Sequence, residues 1–257
     1  MATTFSNQLM TNILTNIDRK IETSSGPNYA VFDADGTLWN DDVGENFFQY
    51  QIDHCGLQAL QDIDPWGHYK KLKSKHPPDA YLWLAQICAN QSIQRVRDWA
   101  QSAVKDTSWD IFDSQKQLIS KLQERGIEVL VVSASVEWAV AAAIRLVGLK
   151  ADQAIGVKTK VISNTVSDQQ DGPVTWQKGK AQALLERTHG TLPLFCSGNS
   201  DGDIHLLELS QTPALAVQTQ KEGSGLYENE QTLLQIAKKN NLVITNVIQR
   251  PIDNLLD

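Results

Sequence analysis

Apolar residues open the chain at every fourth position: Phe5, Leu9, Ile13, Ile17 and Ile21. That spacing lays them along one face of a helix, and Gly26-Pro27 stops it. The pattern then changes. Residues 29–32 are continuously apolar and end at Asp33, as a strand buried on both faces would. Similar runs occupy 128–133 and 192–197, with weaker ones at 214–217 and 242–248. Helical periodicity returns between them, at 114–125 before Gly126, at 136–147 before Gly148, and at 180–187. Strands alternating with helices predict an α/β fold with a Rossmann-like, doubly wound parallel sheet. Ligands of such sheets bind beyond the carboxyl ends of the strands. Asp33, Ser133 and Gly198-Asn199 all fall on that edge. Segment 151–175 differs: Thr and Val alternate, Asp171-Gly172-Pro173 follows, and a β-hairpin is predicted.

The interval from about 40 to 108 breaks the strand–helix rhythm. It holds Trp66, Trp83, Trp99 and Trp109, a Lys/His-rich run over 68–76, and helical stretches near 43–55, 79–89 and 91–104. The reading is a helical insertion directly after the first strand, placed to act as a cap. The predicted organisation is therefore a core of residues 1–39 and 110–257 with a cap of 40–109. The tryptophans read as core at their helical spacing, with an aromatic cage for a cation as the sharper alternative. The charged run reads first as a solvated face, and second as a place to meet a carboxylate or a second phosphate.

Composition narrows the partners. The 257 residues carry a formal charge of −7, which argues against non-specific nucleic-acid binding. An anionic substrate would have to be attracted by local charge against the global field. No stretch approaches the roughly 18 apolar residues of a membrane span, and the N-terminal sequence does not read as a signal peptide. The three cysteines, Cys55, Cys88 and Cys196, have no metal or redox spacing. They are expected as free thiols in a reducing compartment, the cytoplasm by default. Oligomeric state is not legible.

Asp33-Ala-Asp35-Gly36-Thr37 carries the chemistry. Two carboxylates share one turn, and Gly36 lets that turn bend away from the strand. One carboxylate at a strand end can attack phosphorus, and the second can serve the leaving oxygen. Together they can hold a hard cation, which requires oxygen ligands. An Asp-Gly turn after a strand is the bland alternative. Three further motifs change the balance: Ser133-Ala134-Ser135, Lys178-Gly179-Lys180, and the run from Gly198 to Asp203.

With these four motifs in order, the chain from about 29 to 220 resembles the haloacid dehalogenase-like hydrolases, in particular their phosphoserine-phosphatase-like branch. The resemblance implies a magnesium-dependent phosphatase acting on a small phosphomonoester through an aspartyl-phosphate. Asp33 would be the nucleophile and Asp35 the general acid, then base. Thr37, Ser133, Ala134 and Lys178 would serve the phosphate, with Lys180 as the rival of Lys178 and Ser135 as a helix cap. Asp33, Asp35, Asn199 and Asp203 would bind magnesium. Asn199 departs from the family's usual Asp, and Asp201 is an extra candidate. Asp42 and Glu45 fall where the branch keeps a substrate-reading acid. The same motifs would suit a phosphotransferase, and Asn199 admits a catalytically weak binding or regulatory member.

Overall fold

The computed structural model describes residues 6–219, 225–240, 242 and 244–248. Six parallel strands form the central sheet: β1 (Tyr29–Phe32), β2 (Glu128–Val136), β3 (Ala154–Val157), β6 (Phe195–Gly198), β7 (Ala214–Gln218) and β8 (Ile244–Ile248). Their order is β3-β2-β1-β6-β7-β8. The chain winds from β1 through β2 to one edge, then returns to build outward from β6. The switch point therefore lies between β1 and β6, where a crevice opens at the carboxyl edge. Strands β4 (Thr159–Ile162) and β5 (Thr165–Gln170) form a separate antiparallel hairpin.

Ten α-helices accompany the strands among the described residues: α1 (Asn7–Ile21), α2 (Val43–His54), α3 (Pro65–Lys75), α4 (Pro77–Gln86), α5 (Ile93–Asp106), α6 (Asp113–Glu124), α7 (Glu137–Ala143), α8 (Lys178–Arg187), α9 (Ile204–Leu207) and α10 (Gly225–Lys239). Strand side chains alternate between two buried clusters. Ala30 and Phe32 of β1 enter one, and Tyr29 and Val31 enter the other. Phe32 is fully buried, so truncation to Ala would cost about 3–5 kcal/mol. The first cluster continues into α2–α5 through Phe47, Phe48, Tyr69, Leu84 and Val96. Those helices thus share one apolar core with the sheet.

Several predicted boundaries move. Helix α1 is capped by Ser6, whose side chain accepts from the Leu9 amide; Phe5 lies outside the described residues. Strand β2 runs three residues past Ser133, because Val136 still pairs with Val157 across an irregularity. The helix predicted over 136–147 is α-helical only to Ala143 and tightens to 3₁₀ over Ile144–Val147. Within 151–175, the first strand joins the main sheet, and the predicted hairpin forms from β4 and β5, turning at Ser163-Asn164. Both turn residues have positive φ, 49° and 62°, which suits the twist of a two-residue hairpin loop.

Helix α3 was not predicted, because only Tyr69 along it is buried and no apolar stripe marks it. Local chemistry starts and stops it instead. Asp64 accepts from the Gly67 amide at 3.0 Å, Pro65 occupies the first turn, and Pro77 begins the next helix at once.

Candidate active site

The site grows from the end of β1. The Asp33 amide donates to the Ser197 carbonyl at 2.8 Å, carrying the β1–β6 ladder one residue past the strand. The chain then folds into a tight loop: the Thr37 and Leu38 amides donate to the Ala34 carbonyl, and the Gly36 amide to the Trp39 carbonyl. Gly36 has φ +77°, and a Cβ there would sit 2.0 Å from Asn199 Nδ2. Glycine is thus required both by the left-handed backbone and by the close approach of the fourth motif.

Asp33 is 5% exposed, and its two oxygens have different partners. Lys180 Nζ donates to Oδ1 at 2.5 Å and Thr37 Oγ1 to Oδ2 at 3.0 Å. Burial pushes the Asp33 carboxyl up to about 6, helped by the charge of Asp203 and opposed by Lys180. Asp35 accepts from Trp39 Nε1 at 2.8 Å and the Val43 amide at 2.9 Å on Oδ1. Ser135 Oγ donates to its Oδ2 at 2.7 Å, with Ser133 Oγ at 3.4 Å. Burial raises this carboxyl to about 6 as well, against the pull of the Val43 amide and with a further push from Asp33.

Lys180 is the buried cation of the site, 3% exposed, and its Nζ also reaches Asp203 Oδ1 at 2.6 Å. Burial alone would depress its ammonium, but Asp203 and Asp33 override it and hold the charge. This corrects the sequence reading, which favoured Lys178. Two residues apart on a helix is about 200° of rotation, so when position 180 faces the sheet edge, position 178 faces solvent. Gln177, at φ 49°, sets that rotation as α8 begins. Gly179 packs so closely on the Val174 carbonyl that no side chain fits there.

Three other expected residues stand elsewhere. Thr37 is fully buried beneath Asp33, so its hydroxyl serves that carboxylate and does not line the cavity. Ser135 does not cap a helix: β2 continues past it, and its hydroxyl goes to Asp35. Asp203 has both oxygens engaged, Oδ1 with Lys180 and Oδ2 with the Asn199 and Ser200 amides and Ser200 Oγ. It orders the fourth motif and anchors the lysine, and it is fully buried and does not line the cavity. Ser133 and Ala134 do line the cavity, and Thr175 Oγ1 holds the Ser133 carbonyl at 2.5 Å.

The cavity measures about 450 Å³. Asp33, Asp35, Ser133, Ala134, Lys180, Asn199 and Asp201 form its floor, and Asp41, Asp42, Gly44, Tyr69, Lys73, Tyr81 and Leu84 approach from the helical segment. Asp42 caps α2 by accepting from the Glu45 amide, and burial, with the charges of Asp35 and Glu45, pushes it up to about 8. Glu45 accepts from Lys73 at 3.0 Å and from Tyr69 at 3.2 Å. Lys73 came from the charged run singled out in the sequence; its i, i+4 spacing from Tyr69 was the available signal. Tyr81 and Trp176, which also line the cavity, had none.

The donor set suits a hard divalent cation. Asp33, Asp35 and Asp201 all line the cavity, and their side-chain donors are oxygen. Among the described residues, no three His, Cys, Asp or Glu side chains come together as a metal cage. An ion here would therefore lean on one or two carboxylates, a backbone carbonyl, the Asn199 amide, water and substrate, as magnesium does.

Fold and site together define an α/β protein with a carboxylate-centred site at its switch point. The family model for haloacid dehalogenase-like hydrolases matches residues 30–208, and the chain belongs to that family. Phosphorylcholine phosphatase of Pseudomonas aeruginosa is 26% identical over 145 residues, covering 42% of this chain and 41% of that protein. The chain thus spans less than half the length of this curated relative. A functionally unknown protein from Anaerococcus prevotii superposes with TM-score 0.67 at 16% identity, covering 99% of this chain and 100% of the other. A substrate-bound phosphoserine phosphatase superposes with TM-score 0.50 at 16% identity, covering 86% of this chain and 100% of the other. These superpositions show a shared fold.

Proposed function

We propose that this protein is a magnesium-dependent phosphatase that hydrolyses a small phosphomonoester through an aspartyl-phosphate on Asp33. One observation carries the reading: Asp33, Asp35, Ser133 and Lys180 converge on a single cavity at the switch point of the sheet. An Asp33 oxygen forms the bond to phosphorus as the ester P–O bond breaks, and Asp35 delivers a proton to the leaving oxygen. Asp35, now a carboxylate, takes a proton from the water that attacks the aspartyl-phosphate. Inorganic phosphate leaves and Asp33 is restored. Ser133 and the Ala134 amide orient the phosphoryl oxygens, and Lys180 offsets charge on Asp33 and on the transferring group. Asp33, the Asp35 carbonyl, and Asn199 or Asp201 would hold magnesium, which when bound neutralises phosphoryl charge.

Residues 40–109 act in this reading as a cap on the core of 1–39 and 110–257. Tyr69, Lys73, Tyr81 and Asp42 face the cavity from that segment and would select the leaving group. The free cysteines, two of them buried, suit a reducing compartment such as the cytoplasm. The test is a screen of phosphomonoesters for released phosphate, with and without magnesium, and phosphorylcholine belongs in it because a relative is named for that substrate. Magnesium-dependent release from one or more esters is expected. Absence of release across the panel overturns the reading in favour of a binding or regulatory role.

A further inference from the structure

Asp35 Oδ1 accepts two N–H donors, and one of them belongs to a side chain outside all four motifs. Trp39 Nε1 lies 2.8 Å from this oxygen and the Val43 amide 2.9 Å. We propose that Trp39 is a positioning residue for the general acid: it holds Oδ1 as the unprotonated oxygen of Asp35, so the catalytic proton sits on Oδ2, toward Ser133 and the phosphate. The inference rests on the phosphatase reading of the site.

A carboxyl oxygen that accepts two N–H bonds has no lone pair free in its plane to carry a proton. Neither donor can reverse its role, because an indole N–H and an amide N–H only donate. Oδ2 differs. Its neighbours are the hydroxyls of Ser135 and Ser133, at 2.7 and 3.4 Å, and a hydroxyl can rotate to accept from Oδ2–H as readily as it donates to a carboxylate. The asymmetry of the partners therefore chooses the oxygen.

The indole itself has one orientation. Trp39 is fully buried, and Trp109 packs edge-on against it with ring centroids 5.4 Å apart. Its backbone carbonyl accepts from the Gly36 amide at 2.9 Å, and its backbone bridges to Ile111. A buried tryptophan needs an acceptor for its N–H, and any carbonyl would satisfy that need. Here the acceptor is a half-buried carboxylate that also lines the cavity. Without the indole N–H, Oδ1 keeps only the Val43 amide, and the carboxyl can turn and carry its proton on either oxygen.

The consequence is specific to the leaving group. When Asp33 bonds to phosphorus and the ester bond breaks, its electrons pass to the leaving oxygen, which takes the Oδ2 proton and leaves Asp35 as a carboxylate. An alkoxide needs that proton, and a dinitrophenolate does not. The test uses Trp39→Phe and a second variant carrying 3-benzothienylalanine at position 39, whose ring fills the indole's space with sulfur in place of N–H. Both are measured on glycerol 2-phosphate and on 2,4-dinitrophenyl phosphate, with circular dichroism to show the fold. The expected loss in kcat/KM, which reports formation of the aspartyl-phosphate and not its later hydrolysis through Asp35, is about 10- to 100-fold on the alkyl ester and under about 3-fold on the dinitrophenyl ester. In an Asp35→Asn background, Trp39→Phe should add less than about 3-fold, because the group it positions is gone. If the Phe variant does not fold, the benzothienyl variant carries the test. Parallel loss on both esters, or the same factor with Asp35 removed, overturns the positioning role and leaves the phosphatase reading standing. Wild-type protein that releases phosphate from no ester of the screening panel, these two included, overturns the phosphatase reading, and the inference with it.

Discussion

Lys180→Met removes the one cation that touches Asp33 among the described residues and leaves two buried carboxylates facing each other. The Nζ contacts are 2.5 Å to Asp33 and 2.6 Å to Asp203, and the side chains of these residues are 4%, 7% and 0% exposed for Lys180, Asp33 and Asp203. At an effective dielectric near 20, each contact is worth about 6–7 kcal/mol of Coulomb attraction before desolvation is subtracted. Desolvation offsets several kcal/mol per ion, so the net pair is worth much less. Deleting one partner of a buried pair is costlier, about 3–5 kcal/mol, because a charge is left uncompensated. That is a large share of the roughly 5–15 kcal/mol that holds a domain folded. The loss should depend on pH. The carboxyl of Asp33, already held up at about 6 by burial and Asp203, loses the cation that pulls it down. Its folded value then lies further above its unfolded one. Protonation stabilises the folded variant at low pH, and that benefit is lost as pH rises through the folded value. Urea unfolding in EDTA, followed by circular dichroism, should therefore show a deficit of about 3–5 kcal/mol at pH 8 that shrinks at pH 5. A deficit under about 1 kcal/mol, or one that does not change with pH, would refute the argument. Lys178→Met should leave stability within about 0.5 kcal/mol at both, since that lysine is exposed.

The nucleophile assignment predicts that Asp33→Asn lowers kcat by more than about 1,000-fold while circular dichroism stays unchanged; retained turnover would reassign the attack. Chelation should abolish phosphate release and added magnesium restore it, and Asn199→Asp should tighten magnesium binding about 10-fold by calorimetry. Unchanged affinity would point to Asp201, the acidic residue of that motif that lines the cavity. For Asp42, the raised folded value near 8 means that wild-type stability falls as pH climbs toward it. Asp42→Asn keeps an oxygen for the Glu45 amide but cannot ionise, so in EDTA it should be more stable than wild type at pH 8 and closer to it at pH 5. Urea midpoints that run parallel across this range would contradict that account.

The sheet was legible because its strands are buried on both faces. Residues 29–32 and 129–132 read as unbroken apolar runs, and a run that meets Asp or Ser marks the edge where the chain meets solvent again. What the apolar pattern hides is pairing. Nothing in the sequence around Ser133 says that Val136 will find Val157, yet that contact keeps Ser135 extended and delivers its hydroxyl to Asp35. Helix α3 fails to register for a related reason: with Tyr69 as its single buried residue, its evidence lies in Asp64, Pro65 and Pro77 rather than in any period.

The site was legible as a set of motifs and illegible as a set of partners. Lys178 and Lys180 differ by about 200° around one helix, and the rotation that decides between them comes from the backbone of Gln177 and the packing of Gly179. Asp203 shows the same limit. Its spacing suits a ligand, but it is buried away from the cavity, where four hydrogen bonds tie it to Lys180, Asn199 and Ser200. Asp35 gathers these lessons at one carboxylate: its own loop supplies Trp39, the first turn of α2 supplies the Val43 amide, and β2 supplies the serines. Three elements far apart in pattern thus fix one side chain. A shift of α2 would move a donor on Oδ1, and a shift of β2 would move those on Oδ2. The orientation of that carboxyl is therefore set by how the helical segment sits on the sheet, which no single motif records.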